Sequence, residues 1–219
     1  MTFTTQYQSK LLSAIRQVDL RKVSRAVGWF REARDSGRSI FVFGNGGSAA
    51  TASHFVCDMV KGASYGCAKR FRILALTDSV PTLTAYSNDL GYEFVFAEQL
   101  KNFAEADDVV MGISGSGNSG NVIKAVETAN AMGCRTIGLT GRDGGRLRAV
   151  AKLNIHVPEG HMGRIEDVHM MVCHMISYSF MEAEEHDPRK LSQRYLSELA
   201  QKAPEGVCTV PVQAIQEQF

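Results

Sequence analysis

Three short apolar runs in this sequence end in the same way. "SIFVFG" leads into "GNGGSAA", "VVMGIS" into "SGSGNSGN", and "RTIGLT" into "TGRDGG". Each run is apolar at odd and even positions alike, the pattern of a strand covered on both faces, as strands of parallel sheets are. Two further runs, "RILALT" and "LNIHVP", have the same character, and Pro158 closes the second. Between the runs the apolar spacing turns helical, over residues 48–61, 121–132, a short stretch after Gly144 and Gly145, and about 164–185. Strands alternating with helices specify an α/β fold, with a parallel sheet between two helical layers and right-handed crossovers. A helical pattern over about residues 5–36 precedes the first strand, with Leu11, Ile15, Val23, Val27 and Phe30 among its apolar positions and Gly37 as its stop. Residues 1–187 therefore read as a single domain with N-terminal helices and a long C-terminal helix. Residues 188–219 read as an extension in which "LSQRYLSELAQ" suits one short helix.

Charge narrows the function classes. There are 24 basic and 23 acidic residues, a net charge of +1. So even a balance predicts neither a nucleic-acid partner nor a polybasic membrane anchor. No apolar run approaches the length of a membrane span, and the start "MTFTTQYQSK" is polar, unlike a secretory signal. Five scattered cysteines without CxxC spacing read as reduced thiols. Together these features predict a cytoplasmic location.

Ligands of open parallel sheets collect beyond the carboxyl ends of the strands, where the three glycine-rich loops fall. Ser114, Ser116 and Ser119 lie just ahead of a helix start, whose free N–H groups and partial positive charge favour a phosphate. That loop contains no Lys or Arg, so neutral donors would carry the binding. Glycine and serine also make ordinary turns and caps, but two such loops on neighbouring strand ends weaken that reading. The first loop matches G-x-G-x-x-A at Gly44, Gly46 and Ala49. The acidic residue a dinucleotide site needs about 20 positions on is missing, so that reading ranks last.

The segments "GNGGSAA", "SNDLGYEFVF", "GISGSGNSGNVIKA", "LTGRDGG" and "RIEDVHMMVCH" occur in that order. Over about residues 11–182 the chain resembles the phosphoheptose isomerases of the sugar-isomerase (SIS) domain superfamily. The resemblance implies a three-layer αβα sandwich on a five-stranded parallel sheet. It implies a homotetramer with active sites between subunits, and isomerisation of sedoheptulose 7-phosphate to a heptose 7-phosphate through an enediol. Carried over, Ser114, Ser116 and Ser119 hold the phosphate, while Asn45, Gly46, Ser48 and Asp89 contact the sugar. His54, Asp58, Glu166 and His174 match positions that bind a divalent metal, often zinc, in many relatives. Asp58, Glu166 and His174 are the implied proton-transfer groups.

Three positions depart from the family pattern. Gly115 stands where relatives carry a hydroxyl between the first two serines. Asp58 replaces Glu, and Glu166 replaces Gln. Asp is a methylene shorter, which withdraws its carboxylate, whereas Glu166 adds a negative charge and could itself be the base. His54 and Asp58 share a helix face, but Glu166 and His174 are separated by ~12 Å of helix rise. His169, His156 and His186 read as structural, with a supporting role behind the site as the other option for His169. Arg164 reads equally as a substrate partner or a local ion pair. The resemblance leaves an alternative: a non-catalytic phosphosugar-binding protein like the one that associates with the bacterial replication initiator. That group generally lacks the histidine found here at 174, which favours the isomerase.

Overall fold

The five runs pair into one all-parallel sheet in a computed structural model that describes residues 2–183. The strands are β1 (Ser39–Gly44), β2 (Arg72–Ala75), β3 (Val109–Ser114), β4 (Arg135–Thr140) and β5 (Leu153–His156). Their order is β2-β1-β3-β4-β5. The chain leaves β1 toward one side for β2 and returns to the other side for β3. The crevice between the carboxyl ends of β1 and β3 is therefore the topological switch point, the place where such sheets bind ligands.

Alternate residues of each strand feed two cores. Ile40 and Val42 of β1 join a cluster with Phe30, Phe55, Val172 and Ile176. Phe41 and Phe43 join the opposite cluster with Phe96, Leu100, Val122 and Val126. The first layer comprises α1 (Phe3–Arg16), α2 (Leu20–Asp35), α3 (Gly47–Cys57) and α8 (Met162–Met181). The second contains α5 (Ala97–Phe103), α6 (Gly120–Ala131) and α7 (Gly145–Val150). This is the αβα sandwich expected from the alternating pattern.

Several boundaries differ from the sequence reading. The N-terminal helical pattern is broken because Asp19 caps α2, its side chain accepting from the Arg21 N–H at 3.0 Å. The helix expected over residues 48–61 stops being α at Cys57 and continues as a π turn, Asp58–Gly62. The Met181 side chain packs over Gly62, so a Cβ there would displace the end of that side chain. The sequence reading assigned no helix between β2 and β3. The structure has α4 (Val80–Asp89), a 3₁₀ turn (Tyr92–Phe94) and α5. α4 buries no residue and so shows no apolar stripe, and α5 is only seven residues long. The expected end of α8 near residue 185, His186, the extension 188–219 and its short helix lie outside the described residues. Among the described residues no helix is long and apolar enough to cross a membrane.

Candidate active site at the switch point

The serine loop closes on itself. Ser114 Oγ lies 3.0 Å from Ser119 Oγ and 3.4 Å from Ser116 Oγ. The backbone N–H groups of Gly117 and Asn118 donate to Ser114 Oγ and Ser116 Oγ, each at 3.1 Å. Gly117 adopts φ 67° to make this turn, and a Cβ there would meet Gly144 O of the third loop at 2.0 Å. Ser119 occupies the N-cap of α6 but makes no side-chain cap bond. Its hydroxyl lies with Ser114 Oγ beside the start of α6, where the first N–H groups lack intrahelical partners. Gly115 has a packing reason: a Cβ would meet Met162 Sδ of α8 at 2.5 Å. A larger residue at 115 would require the Met162 side chain to shift.

The first loop is tied to the serine loop by a reciprocal amide pair that the sequence did not announce. Asn45 Nδ2 donates to Asn121 Oδ1, and Asn121 Nδ2 donates to Asn45 Oδ1, both at 2.9 Å. Tyr92 O–H donates to the same Asn45 oxygen at 2.8 Å. Gly46, at φ 55°, turns the chain into α3, and Ser48 is buried in its first turn. Asn121 and Tyr92 lie within segments matching the family, but as a helix start and a turn they carry no ligand signature of their own. Asp89 is exposed at the end of α4, where its carboxylate accepts from Asn88.

α3 and α8 run in the same direction, and their contacts advance in step. Glu166 comes first, its carboxylate against the first turn of α3, where a Cβ on Gly47 would lie 2.4 Å from Glu166 Oε1. Next, His174 Nε2 meets His54 Nε2 at 3.0 Å. Ser177 Oγ then lies 3.4 Å from Asp58 Oδ2, and Met181 fills the space over Gly62. The expected four-residue metal set is therefore gathered as three: His54, Asp58 and His174. Glu166 falls two helical turns short of His174, at the first loop. A carboxylate there suits the positive end of α3, but it does not reach the trio within one chain.

The trio fits a divalent ion. Asp58 Oδ2 lies 3.5 Å from His54 Nε2 and 3.8 Å from His174 Nε2. Tetrahedral zinc, with bonds of about 2.0–2.1 Å, spaces its ligands about 3.3 Å apart. Two imidazole nitrogens at 3.0 Å either share one proton or aim both lone pairs at a cation. Both histidines are half-exposed and Asp58 is mostly covered. Two nitrogens and one oxygen leave a fourth position open, as catalytic zinc sites do.

Two further residues of α8 serve structure. Arg164 is buried and grips Glu159 in a bidentate pair, its Nε and Nη2 donating at 3.0 and 2.9 Å. That answers the open question about Arg164 in favour of a local ion pair. His169 is fully buried, and neither ring nitrogen has a hydrogen-bond partner. Burial pushes its pKa down to about 4, and the nearby Thr140 backbone, outside good hydrogen-bond geometry, acts in the opposite direction. The ring is a neutral core residue.

The SIS domain family model matches residues 5–141. A phosphoheptose isomerase of Citrifermentans bemidjiense is 43% identical over 161 residues, covering 70% of this chain and 80% of that protein. One from Helicobacter hepaticus is 39% identical over 158 residues, covering 70% and 78%. The solved structure of a phosphoheptose isomerase from Neisseria gonorrhoeae is 31% identical, with a TM-score of 0.76, covering 82% of this chain and 97% of its own.

The Arg164–Glu159 pair at the start of α8 has a measurable pH signature. The Arg164 hydrogen bonds hold the Glu159 carboxyl down to about 2, from an ordinary 4.5. A carboxylate depressed on folding stabilises above its ordinary value, and that stability is lost as pH falls through the folded one. Glu159→Gln should therefore cost about 1–3 kcal/mol at neutral pH, and its deficit should shrink as pH drops from 4.5 toward 2. Thermal melts of both proteins between neutral pH and pH 3 would check this, a constant difference across the range being the contrary result.

Proposed function

Because the chain belongs to the phosphoheptose isomerase family of SIS-domain proteins, we propose that it is an aldose–ketose isomerase of sugar phosphates, converting sedoheptulose 7-phosphate to a heptose 7-phosphate through an enediol. The observation that carries this reading is the presence of two sites on the elements around the first and second glycine-rich loops: α3 after β1, α6 after β3, and α8 packed alongside α3. One is the ring of serine hydroxyls after β3. The other is the His54–Asp58–His174 trio on α3 and α8. An isomerase needs an anchor for the phosphate and a base with electrostatic support at the other end of the sugar.

In this reading Ser114, Ser116, Ser119 and the start of α6 bind the phosphoryl group with neutral donors. Asn45, Gly46, Ser48 and Asp89 contact the sugar hydroxyls. Asp58 takes the proton from C1 of the ketose and returns it to C2. His174 relays the hydroxyl proton from O1 to O2, so atoms and charge balance over the cycle. A divalent ion, zinc by the donor set, would polarise the carbonyl as a Lewis acid. Ser177, buried beside Asp58, would steady its carboxylate. The π turn that begins at Asp58 supports the idea of a backbone adjusted around the shorter acid, since such turns recur at functional sites. Glu166 stays available at the first loop as a sugar contact or as a ligand from a neighbouring subunit.

A homotetramer with shared sites completes the proposal. Support comes from apolar side chains left uncovered on the helical layer: Phe3 and Leu12 on α1, Met175 and Tyr178 on α8.

Three measurements test this function. Purified protein incubated with sedoheptulose 7-phosphate should form an aldose phosphate. Chelation should remove that activity and lower the melting temperature, because an ion that binds only the folded state stabilises it. Turnover by fully metal-free protein would refute the metal's part, and absence of product from metal-loaded protein would refute the substrate. Light scattering at micromolar concentration should report a tetramer rather than a monomer. For the base, Asp58→Asn should lower kcat by about 10²–10⁴-fold, while Glu166→Gln keeps much of it. The inverse pattern, with metal content held equal, would transfer the role to Glu166.

A further inference from the structure

A second cleft, of about 410 Å³, lies at the free β5 edge of the sheet. Arg21, Lys22 and Arg25 of α2 line it, with Arg148 of α7, Lys152 just before β5 and Asn154 of β5. Five of these six are cations, and no carboxylate lines the cleft. The chain as a whole is almost neutral, at +1, so this is a local concentration of charge.

Among the described residues the cations are poorly compensated. Only Arg21 meets a carboxylate, Asp19 at 3.3 Å. Lys152 donates to the Cys134 carbonyl at 2.6 Å and Arg148 to the Asp143 carbonyl at 3.4 Å. Arg25 rests over the Trp29 ring at 5.2 Å. Arg21 and Lys22 also occupy the first turn of α2, where cations oppose the helix dipole. The charges converge from separate elements: after burial, Arg148 of α7 and Lys22 of α2 are what depress the pKa of His156. Like charges facing one another across a cleft repel, and an anion between them relieves both that repulsion and the clash with the dipole.

We propose that this cleft binds a small polyphosphorylated metabolite, at a site separate from the serine loop. Its volume falls within the range of small-molecule sites, about 300–1,000 Å³. Cations arriving from α2 and from α7 suit a ligand with at least two phosphoryl groups, one for each wall. Arginine forks recognise phosphoryl oxygens in pairs. Among the described residues its lining is cationic without a carboxylate, which suits binding of an anion, and α2 and β5 belong to the same domain as the serine loop. The competing account is that the cations only guard an exposed edge strand against pairing with other chains.

The probe is inorganic tripolyphosphate, titrated into the full-length protein at moderate salt. Trp29 is the single tryptophan. It lies under Arg25 of the cleft at 5.2 Å and also under Arg135, outside it, at 6.0 Å, so an emission change is assigned to the cleft by its loss in the cleft variants. The expected result is a saturable emission change. Lys22→Ala and Arg148→Ala should each weaken it about tenfold. Ser116→Ala, in the serine loop, and Lys10→Ala, on α1, should leave it unchanged. These variants lie on separate elements, so one that folds poorly does not remove the test. Three results would overturn the proposal: no saturable change, a loss with Ser116→Ala equal to that with Lys22→Ala, or equal weakening by Lys10→Ala, which would show diffuse surface attraction.

Discussion

The pairing of β1 with β3 is the constraint on which the rest of the structure depends. It joins strands about 70 residues apart, with Ile40 opposite Val109 and Gly44 opposite Ile113. Because β2 lies on the other side of β1, nothing separates the first loop from the serine loop. The approach is close enough to require glycine at the end of β1. A Cβ on Gly44 would lie 2.9 Å from the Ile113 carbonyl and 2.7 Å from Ser48 Cβ. The Asn45–Asn121 amide pair then locks the two loops together one residue beyond that contact.

α8 supplies the second organising element. It closes over the serine loop through Met162 and runs alongside α3 through Glu166, His174, Ser177 and Met181. The parallel course explains why the His–Asp trio and the Glu166 carboxylate form two stations. Their separation follows from helix rise along both helices at once. The bidentate Arg164–Glu159 pair ties the first turn of α8 to the loop before it.

The departures from the family pattern are also intelligible in packing terms. Gly115 gives way to Met162. Asp58 stands where the helix changes from α to π, with Ser177 behind it. Glu166 sits against the N-terminal turn of α3, where a negative charge is favoured and the neutral Gln of relatives would gain less. The basic cleft at β5 has no counterpart among these features, since its cations come from α2, α7 and the approach to β5.

The sequence by itself determined the five strands, their parallel character and the loops that end them. Those properties reside in local patterns: two-sided apolar runs, 3.6-residue periodicity and glycines at tight turns. It also singled out Ser114, Ser116 and Ser119 as candidates for a phosphate loop, because all three lie within one turn and one helix start, and the structure brings their hydroxyls together. His54 and Asp58 were legible as a pair because they are four apart on one helix. α4 was not legible, since it buries nothing, and neither was the π turn, which continues α3 without a local break signal. Only the tertiary structure decided that His174 joins the trio while Glu166 does not, that Arg164 is spent on Glu159, and that five cations share one cleft. The trio and the cleft join elements more than a hundred residues apart, and the Arg164–Glu159 pair, though only five residues apart, depends on how the loop before α8 turns. Local propensity carries no information about which side chains a fold will bring face to face.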